Sequence, residues 1–362
     1  MRVLFAGGGT AGHLAPCIAV AQTMARRTPE VEVHFAISAK PADAAMLEHR
    51  NLSGHPISGS GMPYGCSPTA LMSLVRLAAG SCQALSLLKR LRPDVVLATG
   101  GYVSAAVVPA ARVLGIPIVL LAADVMPDRT NRFLSRWATS VAVVSSTAAE
   151  SFGRAPTVVT GMPVRPEILD ADPAAAREAL AIAPDATVLL VTGGSQGAQR
   201  LNEATQAALP ELLNDPDFVV IHLTGVGKLP EPSSIADLPA GRYIVSERRE
   251  DMATCFAAAD IVLTRAGANG VAEAAAWGRP MVIVPYPHAG GHQRFNAAVY
   301  ADAGAAVVID DAAFTGETLV ATIDELRADP ARLERMARAA RETGSAEAAG
   351  AIADILTRLA TR

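Results

Sequence analysis

Long apolar stretches without charge are missing from this 362-residue chain. Hydrophobic residues make up 51% of it. Yet no apolar stretch of about 18 residues lacks charge, so no membrane-spanning helix is expected. The opening run Val3-Leu4-Phe5-Ala6 is too short for the apolar region of a secretory signal, which points to the cytoplasm. Cysteine is scarce as well: Cys17, Cys66, Cys82 and Cys255 are scattered, without metal-like pairing, and read as reduced thiols. The string Asp170-Ala171-Asp172 lies in a stretch rich in Pro and Asp and reads as the polar start of a helix, so no metal is expected. No low-complexity tract interrupts the chain.

Short apolar runs alternating with longer helical patterns are abundant instead. In the first half the strand candidates are 2–6, 31–37, 94–98, 116–121, 140–144 and 157–159, with helices such as 13–27, 68–90 and 104–114 between them. The second half repeats the scheme, with strands at 187–191, 218–223, 242–245, 261–264, 281–284 and 306–309. Such alternation predicts parallel sheets covered by helices on both faces. The length suits two domains, with a linker at 163–173, and the closing helices 331–342 and 346–361 read as packing back across it. Residues 1–160 carry 14 Lys/Arg against 8 Asp/Glu, whereas the remainder carries 17 against 27. A basic first lobe beside an acidic second one is consistent with an anionic partner on the first lobe.

Two glycine-rich loops open the two halves: Gly7-Gly8-Gly9-Thr10-Ala11-Gly12-His13 and Gly193-Gly194-Ser195-Gln196-Gly197. Each follows a strand and precedes a helix, where backbone N–H groups and the helix N-terminus favour anions. The first contains the Gly-x-Gly-x-x-Gly fingerprint. However, the second strand ends Phe35-Ala36-Ile37-Ser38, without the acid that would hold a dinucleotide ribose. Neither loop ends in the Gly-Lys-Ser/Thr of a P-loop. His13 at the helix start either takes a proton from an attacking hydroxyl, in the neutral form the helix dipole favours, or merely orders the loop.

Thr99-Gly100-Gly101-Tyr102-Val103-Ser104 is a third glycine loop, or else a plain strand-to-helix turn. Arg165, after Gly161-Met162-Pro163-Val164, could reach a diphosphate bidentately. In Arg265-Ala266-Gly267-Ala268-Asn269-Gly270, small residues permit close backbone approach. Glu273, one turn on, either accepts both hydroxyls of a ribose or complements the helix dipole. His292 and Gln293, after Pro285-Tyr286-Pro287-His288, suit sugar hydroxyls or cap the loop.

Taken in order, these segments resemble the MurG family of peptidoglycan N-acetylglucosaminyltransferases. They run from the first glycine loop through Gly100–Ser104, Thr130-Asn131-Arg132, Gly161–Arg165, Gly193–Ala198, Asp251-Met252, Thr264–Ala268 and the Glu273 helix to His292–Ala297. The resemblance spans nearly the whole chain. It implies an α/β protein of GT-B fold, with two Rossmann-like lobes whose parallel sheets face a central cleft. The implied lobes are 1–162 for the acceptor and the membrane and 163–344 for the UDP-sugar, with 345–362 returning to the first lobe.

The implied reaction is inverting transfer of N-acetylglucosamine from UDP-N-acetylglucosamine to the lipid-linked muramoyl-pentapeptide, in cell-wall synthesis and so in cell shape and division; the alternatives are transfer to another lipid or secondary-metabolite acceptor, or an impaired UDP-sugar-binding scaffold of cell-wall assembly. His13 becomes the candidate base. Thr10, Ala11, Gly12, Tyr102 and Asp124 fall on the acceptor side, with Arg165, Gly194 and Ser195 on the donor diphosphate. Arg249 lies at the uracil, Ala268, Asn269 and Glu273 at phosphate and ribose, and His292 and Gln293 at the transferred sugar. Neither a cofactor nor nucleic acid is implied. The implied place is the cytoplasmic face of the cell membrane, beside other cell-wall enzymes.

The chain departs from the family pattern in three places. Leu121-Ala122-Ala123-Asp124 stands where His-Glu-Gln-Asn is usual, which changes what can hydrogen-bond there. Arg248-Arg249 replaces the aromatic that stacks on uracil and its apolar neighbour. Ala11 replaces a glycine. In the segment 68–92, Leu71, Met72, Leu74, Val75 and Leu77 lie near Arg76, with Lys89, Arg90 and Arg92 beyond. This is either an interfacial face or a buried helix.

Overall fold

The computed structural model describes residues 1–60, 68–194, 196–249, 251–288 and 291–361, and only the backbone of 11, 68–71 and 74. It divides into two units, one formed by Met1–Arg165 with Glu347–Arg362, the other by Pro166–Ala346.

The first unit runs β1 (Arg2–Ala6), α1 (Ala11–Arg27), β2 (Glu32–Ser38), α2 (Pro41–Glu48), β3 (Gly54–Ile57), α3 (Pro68–Leu91), β4 (Val95–Ala98), α4 (Gly101–Val113), β5 (Ile118–Ala122), α5 (Arg129–Leu134), β6 (Ser140–Val143), α6 (Ser146–Glu150) and β7 (Thr157–Val159). The second has α7 (Pro166–Leu169), α8 (Pro173–Ala179), β8 (Thr187–Thr192), α9 (Gln199–Leu212), β9 (Phe218–Leu223), α10 (Pro232–Ile235), β10 (Tyr243–Ser246), α11 (Met252–Ala258), β11 (Ile261–Thr264), α12 (Ala268–Ala276), β12 (Met281–Ile283), α13 (Gln293–Asp302), β13 (Ala306–Val308), α14 (Gly316–Ala328) and α15 (Pro330–Thr343). The closing helix α16 (Ala348–Ala360) belongs to the first unit.

Each unit holds one parallel sheet, ordered β3-β2-β1-β4-β5-β6-β7 in the first and β10-β9-β8-β11-β12-β13 in the second. Strands buried on both faces need apolar side chains pointing both ways. Along β1, Val3 and Phe5 join one core with Leu14, Ile18 and Met24 of α1, while Leu4 and Ala6 join the other with Leu87 and Leu88 of α3 and Val103 and Val107 of α4. Phe5 sits in register with Phe35, their rings stacked 5.2 Å apart. α16 completes the α1 face through Ile352, Ile355, Leu356 and Leu359, and Arg27 of α1 donates to the Gly350 carbonyl (3.3 Å) and to Asp354 (3.2 Å). The second sheet's core joins Leu189, Val191, Phe218, Val220, Ile261 and Leu263 to α9 and α14.

The alternation of the sequence thus appears as two Rossmann-like parallel sheets, with two corrections. β3 was not expected, because Gly54-His55-Pro56-Ile57 does not read as a strand. Proline survives there because β3 is an edge strand and needs no donor on its open side. The units meet at Arg165 and Pro166, inside the stretch 163–173 expected to be a linker, but the rest of that stretch already forms α7 and starts α8 of the second unit. Proline opens both helices, where its missing N–H costs nothing. Asp172 caps α8 by accepting from Ala175 N (2.8 Å), and the Trp277 indole donates to the Ile168 carbonyl (2.7 Å).

Removing apolar bulk from α16 tests its place in the first core. Leu356 is fully buried, so Leu356→Ala should cost about 2–5 kcal/mol. Urea denaturation followed by a probe in the first unit measures this, and a loss under about 0.5 kcal/mol would place the helix outside that core.

Candidate functional site

In a parallel sheet, a crevice opens beyond the strand C-termini where the strand order reverses. In the first unit the reversal lies between β1 and β4, whose following loops are Gly7–Thr10 and Thr99–Gly100. In the second it lies between β8 and β11, followed by Gly193–Ala198 and Arg265–Gly267. The glycine loops therefore sit where each sheet can receive a ligand.

The first loop is tied down from behind. Gly7 N donates to the Ala36 carbonyl (3.1 Å) and Gly9 N to Asp43 Oδ2 (2.6 Å), the latter also accepting from Ser38 Oγ (2.5 Å). Lys40 Nζ donates to the Gly9 carbonyl (2.6 Å). Those two N–H groups are spent inside the lobe, so the expectation that they cradle an anion is corrected for Gly7 and Gly9. Gly8 has φ +155°, and a Cβ there would stand 2.6 Å from Asp43 Oδ2.

What this loop does offer is His13, in the first turn of α1 and half-buried. Its Nδ1 lies 2.9 Å from the Thr99 carbonyl, while Thr99 Oγ1 donates to the His13 carbonyl (2.8 Å). A carbonyl can only accept, so Nδ1 carries the proton and the neutral ring keeps its lone pair on Nε2. Gly101, at φ +68°, faces that edge of the ring: a Cβ there would stand 3.5 Å from Nε2. Tyr102 packs against Gly9 and Gly59, where added Cβ atoms would meet its ring at 3.3 and 2.3 Å. Thr10 is the N-cap residue of α1, without a side-chain cap bond, and is exposed like Gly12. Nothing is described of the Ala11 side chain. Asp124 is half-buried just past β5, and Arg165, 9% exposed, closes the first unit.

In the second unit Ser195 lies outside the described residues. Gly194 is exposed, with φ +77° and nothing within 4 Å of where a Cβ would stand. Gly197, at φ +65°, packs back to back with Gly225, and a Cβ on it would fall 2.0 Å from the Thr224 carbonyl. Lys228 Nζ donates to the Gln196 (2.8 Å) and Gly197 (3.3 Å) carbonyls. Beneath the loop runs a buried relay. His222 Nδ1 lies 2.9 Å from Tyr243 OH, its Nε2 3.1 Å from Asn202 Oδ1, and Asn202 Nδ2 donates to the Thr224 carbonyl (2.8 Å). That last bond fixes the direction: Asn202 Oδ1 accepts from Nε2–H, and Nδ1 accepts from the tyrosine hydroxyl. Burial pushes the His222 pKa down to about 4.

The remaining residues meet at the same edge of this sheet. Ala268 and Asn269 open α12 after the Gly267 cap, and Glu273, 8% exposed, follows one turn later. Asn296 Nδ2 steadies that turn from the Ala266 carbonyl (3.1 Å). His292 caps α13 without a side-chain cap bond. Gln293 Oε1 accepts from Tyr286 N (2.9 Å), so the oxygen expected to meet sugar hydroxyls is engaged by its own loop. Half-buried Arg249 faces Asp251 at 3.6 Å, and Arg248 is exposed.

Sequence reasoning missed Asp43, Asn202, His222 and Lys228. The signals were a polar residue within the apolar strand Phe218–Leu223 and a Gly-x-Gly-Lys turn directly after it. Among the described residues, no group of three or more His, Cys, Asp or Glu converges as a metal set, and no helix is long and apolar enough to cross a membrane.

Buried neutral His222 makes the second unit acid-sensitive. Its folded pKa lies below the ordinary histidine value of about 6.5, so its stabilising contribution is present above that value and is lost as pH falls toward 4. Between pH 7 and 4.5 the wild type should lose about 2–3 kcal/mol more than His222→Gln in the second-unit transition. Equal losses would show that His222 is not held neutral.

Comparison with known proteins agrees with this architecture. Residues 3–143 match the glycosyltransferase family 28 N-terminal domain and residues 188–352 its C-terminal domain. The chain is 38% identical to the UDP-N-acetylglucosamine–N-acetylmuramyl-(pentapeptide) pyrophosphoryl-undecaprenol N-acetylglucosamine transferase of Desulforudis audaxviator, covering 99% of both chains. It is likewise 38% identical to the protein of that name from Nocardioides sp., over 94% of this chain and 93% of the other. The crystal structure of Acinetobacter baumannii MurG superimposes with a TM-score of 0.73 at 27% identity, over 99% of both chains. This chain therefore belongs to glycosyltransferase family 28 and, within it, to the MurG family.

Proposed function

We propose that this chain transfers N-acetylglucosamine from UDP-N-acetylglucosamine to lipid-linked muramoyl-pentapeptide, converting lipid I to lipid II in peptidoglycan synthesis. The observation that carries this reading is the match of both domains, in order, to relatives bearing that activity in their names. Glycine loops at the strand reversal of each sheet support it.

Transfer is a single displacement. The acceptor hydroxyl attacks the anomeric carbon, the bond from that carbon to the diphosphate oxygen breaks, and its electron pair leaves on UDP. The hydroxyl proton goes to Nε2 of His13, the nitrogen that its Thr99 bond leaves unprotonated. Tyr102 and Asp124, with the Thr10–Gly12 turn, line the acceptor side. The Gly194–Ser195 loop, with Arg165, takes the donor diphosphate. Glu273 accepts from the ribose hydroxyls and Ala268 and Asn269 present the helix start, while Arg249 stacks at the uracil. His292 and the free amide NH2 of Gln293 reach the transferred sugar.

The lipid acceptor calls for a membrane surface at the first unit, on its cytoplasmic face. Met72 (55% exposed) and Val75 (58%) on α3, Val113 (78%) ending α4 and Phe133 (50%) on α5 put apolar bulk in solvent on adjoining helices. Arg136 lies 4.1 Å over the Phe133 ring, and Arg129, Arg132 and Arg136 line a cavity of about 480 Å³ there. Apolar and basic groups together suit an anionic interface.

UDP release dependent on a lipid I analogue tests the reaction, and its absence would sink the reading. His13→Ala should lower kcat about 10²–10⁴-fold with UDP affinity nearly unchanged; undiminished turnover would remove the base assignment. Phe133→Ser with Arg136→Glu should weaken cosedimentation with phosphatidylglycerol vesicles, whereas unaltered binding would move the membrane face elsewhere.

A further inference from the structure

The second unit contains a cation that neither the composition nor the loop motifs brought to attention. Lys228 closes the turn after β9. That turn is built against the glycine loop: Gly225 packs on Gly197, and Asn202, its oxygen held by His222, donates directly to the Thr224 carbonyl. The turn is also fastened to the segment after β10, with Gly225 N donating to the Glu247 carbonyl (2.8 Å) and Gly227 N to Glu247 Oε1 (2.9 Å). The ammonium at its end is thus delivered to the Gln196 and Gly197 carbonyls by a braced segment.

Two further facts set Lys228 apart. Two arginines at this edge have carboxylate partners, Arg249 on Asp251 and Arg265 on Asp311 (2.5 Å). No carboxylate of the described residues lies within 4.0 Å of the half-buried Lys228 ammonium. Two of its three N–H groups have carbonyl partners, which leaves one donor and a full charge. Next to it the loop is open at Gly194, where nothing stands within 4 Å of a built Cβ. Carbonyl oxygens along a loop repel an anion, and an ammonium bound to them reverses that sign. A partly desolvated charge of this kind is completed by a negative ligand.

We propose that Lys228 is a catalytic residue that meets the donor diphosphate from within the second unit. This assignment rests on the donor reading of that lobe. As the bond from the anomeric carbon to the diphosphate oxygen breaks, its electron pair stays on UDP, which gains a negative charge. The ammonium is placed to interact more strongly with that product than with the intact donor. The acceptor hydroxyl supplies the new bond, and its proton departs to the base.

Calorimetric binding of UDP and of uridine, which lacks the diphosphate, separates a charge role from mere bracing of the loop. Lys228→Met should weaken UDP about 10–100-fold and leave uridine unchanged. Lys228→Arg should keep most of the UDP affinity, and added salt should weaken UDP less in the Met variant than in wild type. Lys228→Gln carries the same readout should the Met variant fail to fold. Unchanged UDP affinity overturns the proposal, as does a parallel loss of UDP and uridine. Failure of wild type to bind UDP at all would overturn the donor reading itself.

Discussion

A parallel sheet that starts near its middle and grows outward in both directions leaves an opening above its first strand, and the rest of this protein depends on that constraint. β1 must be flanked by β2 and β4, and β8 by β9 and β11. Right-handed crossovers then send successive helices to opposite faces. The loops leaving the central strands are not covered by either set of helices. Glycine is needed there because backbone and neighbouring loops come within contact of one another, as at Gly197 against Gly225 and Gly100 against Asn131.

The two loops share a position but not a chemistry. Behind the first stands the Asp43 carboxylate, which consumes the Gly9 N–H, and the loop's contribution is an imidazole with a fixed tautomer. Behind the second stand a neutral histidine and an amide, and at its carbonyls an ammonium. An imidazole lone pair at one loop and an ammonium at the other favour opposite partners: a group that gives up a proton, and one that arrives with negative charge.

Both sheets were legible because buried parallel strands must be apolar on both faces, as at Val3–Ala6 and Ile261–Thr264. Glycine runs directly after such strands marked the loops for an equally local reason. β3 escaped notice because an edge strand tolerates Pro56 and exposes His55 in part. α7 and α8 escaped because prolines that start helices look like prolines that prevent them. Within the site, Glu273 and His13 were visible as polar residues beginning helices. The Gln293 oxygen, bonded to Tyr286 N seven residues back, looked equally available.

The sequence by itself determined the alternation of strand and helix, the places where the backbone must be glycine, and the family to which the ordered motifs belong. Each of these is written in residues close together along the chain. Only the tertiary structure decided which N–H groups remain free, which tautomer His13 holds, and that Asn202, His222, Tyr243 and Lys228 act on one loop. Those outcomes join residues 20 to 86 positions apart. A hydrogen bond is settled by where two groups come to rest after the sheets have formed, and local pattern carries no record of that.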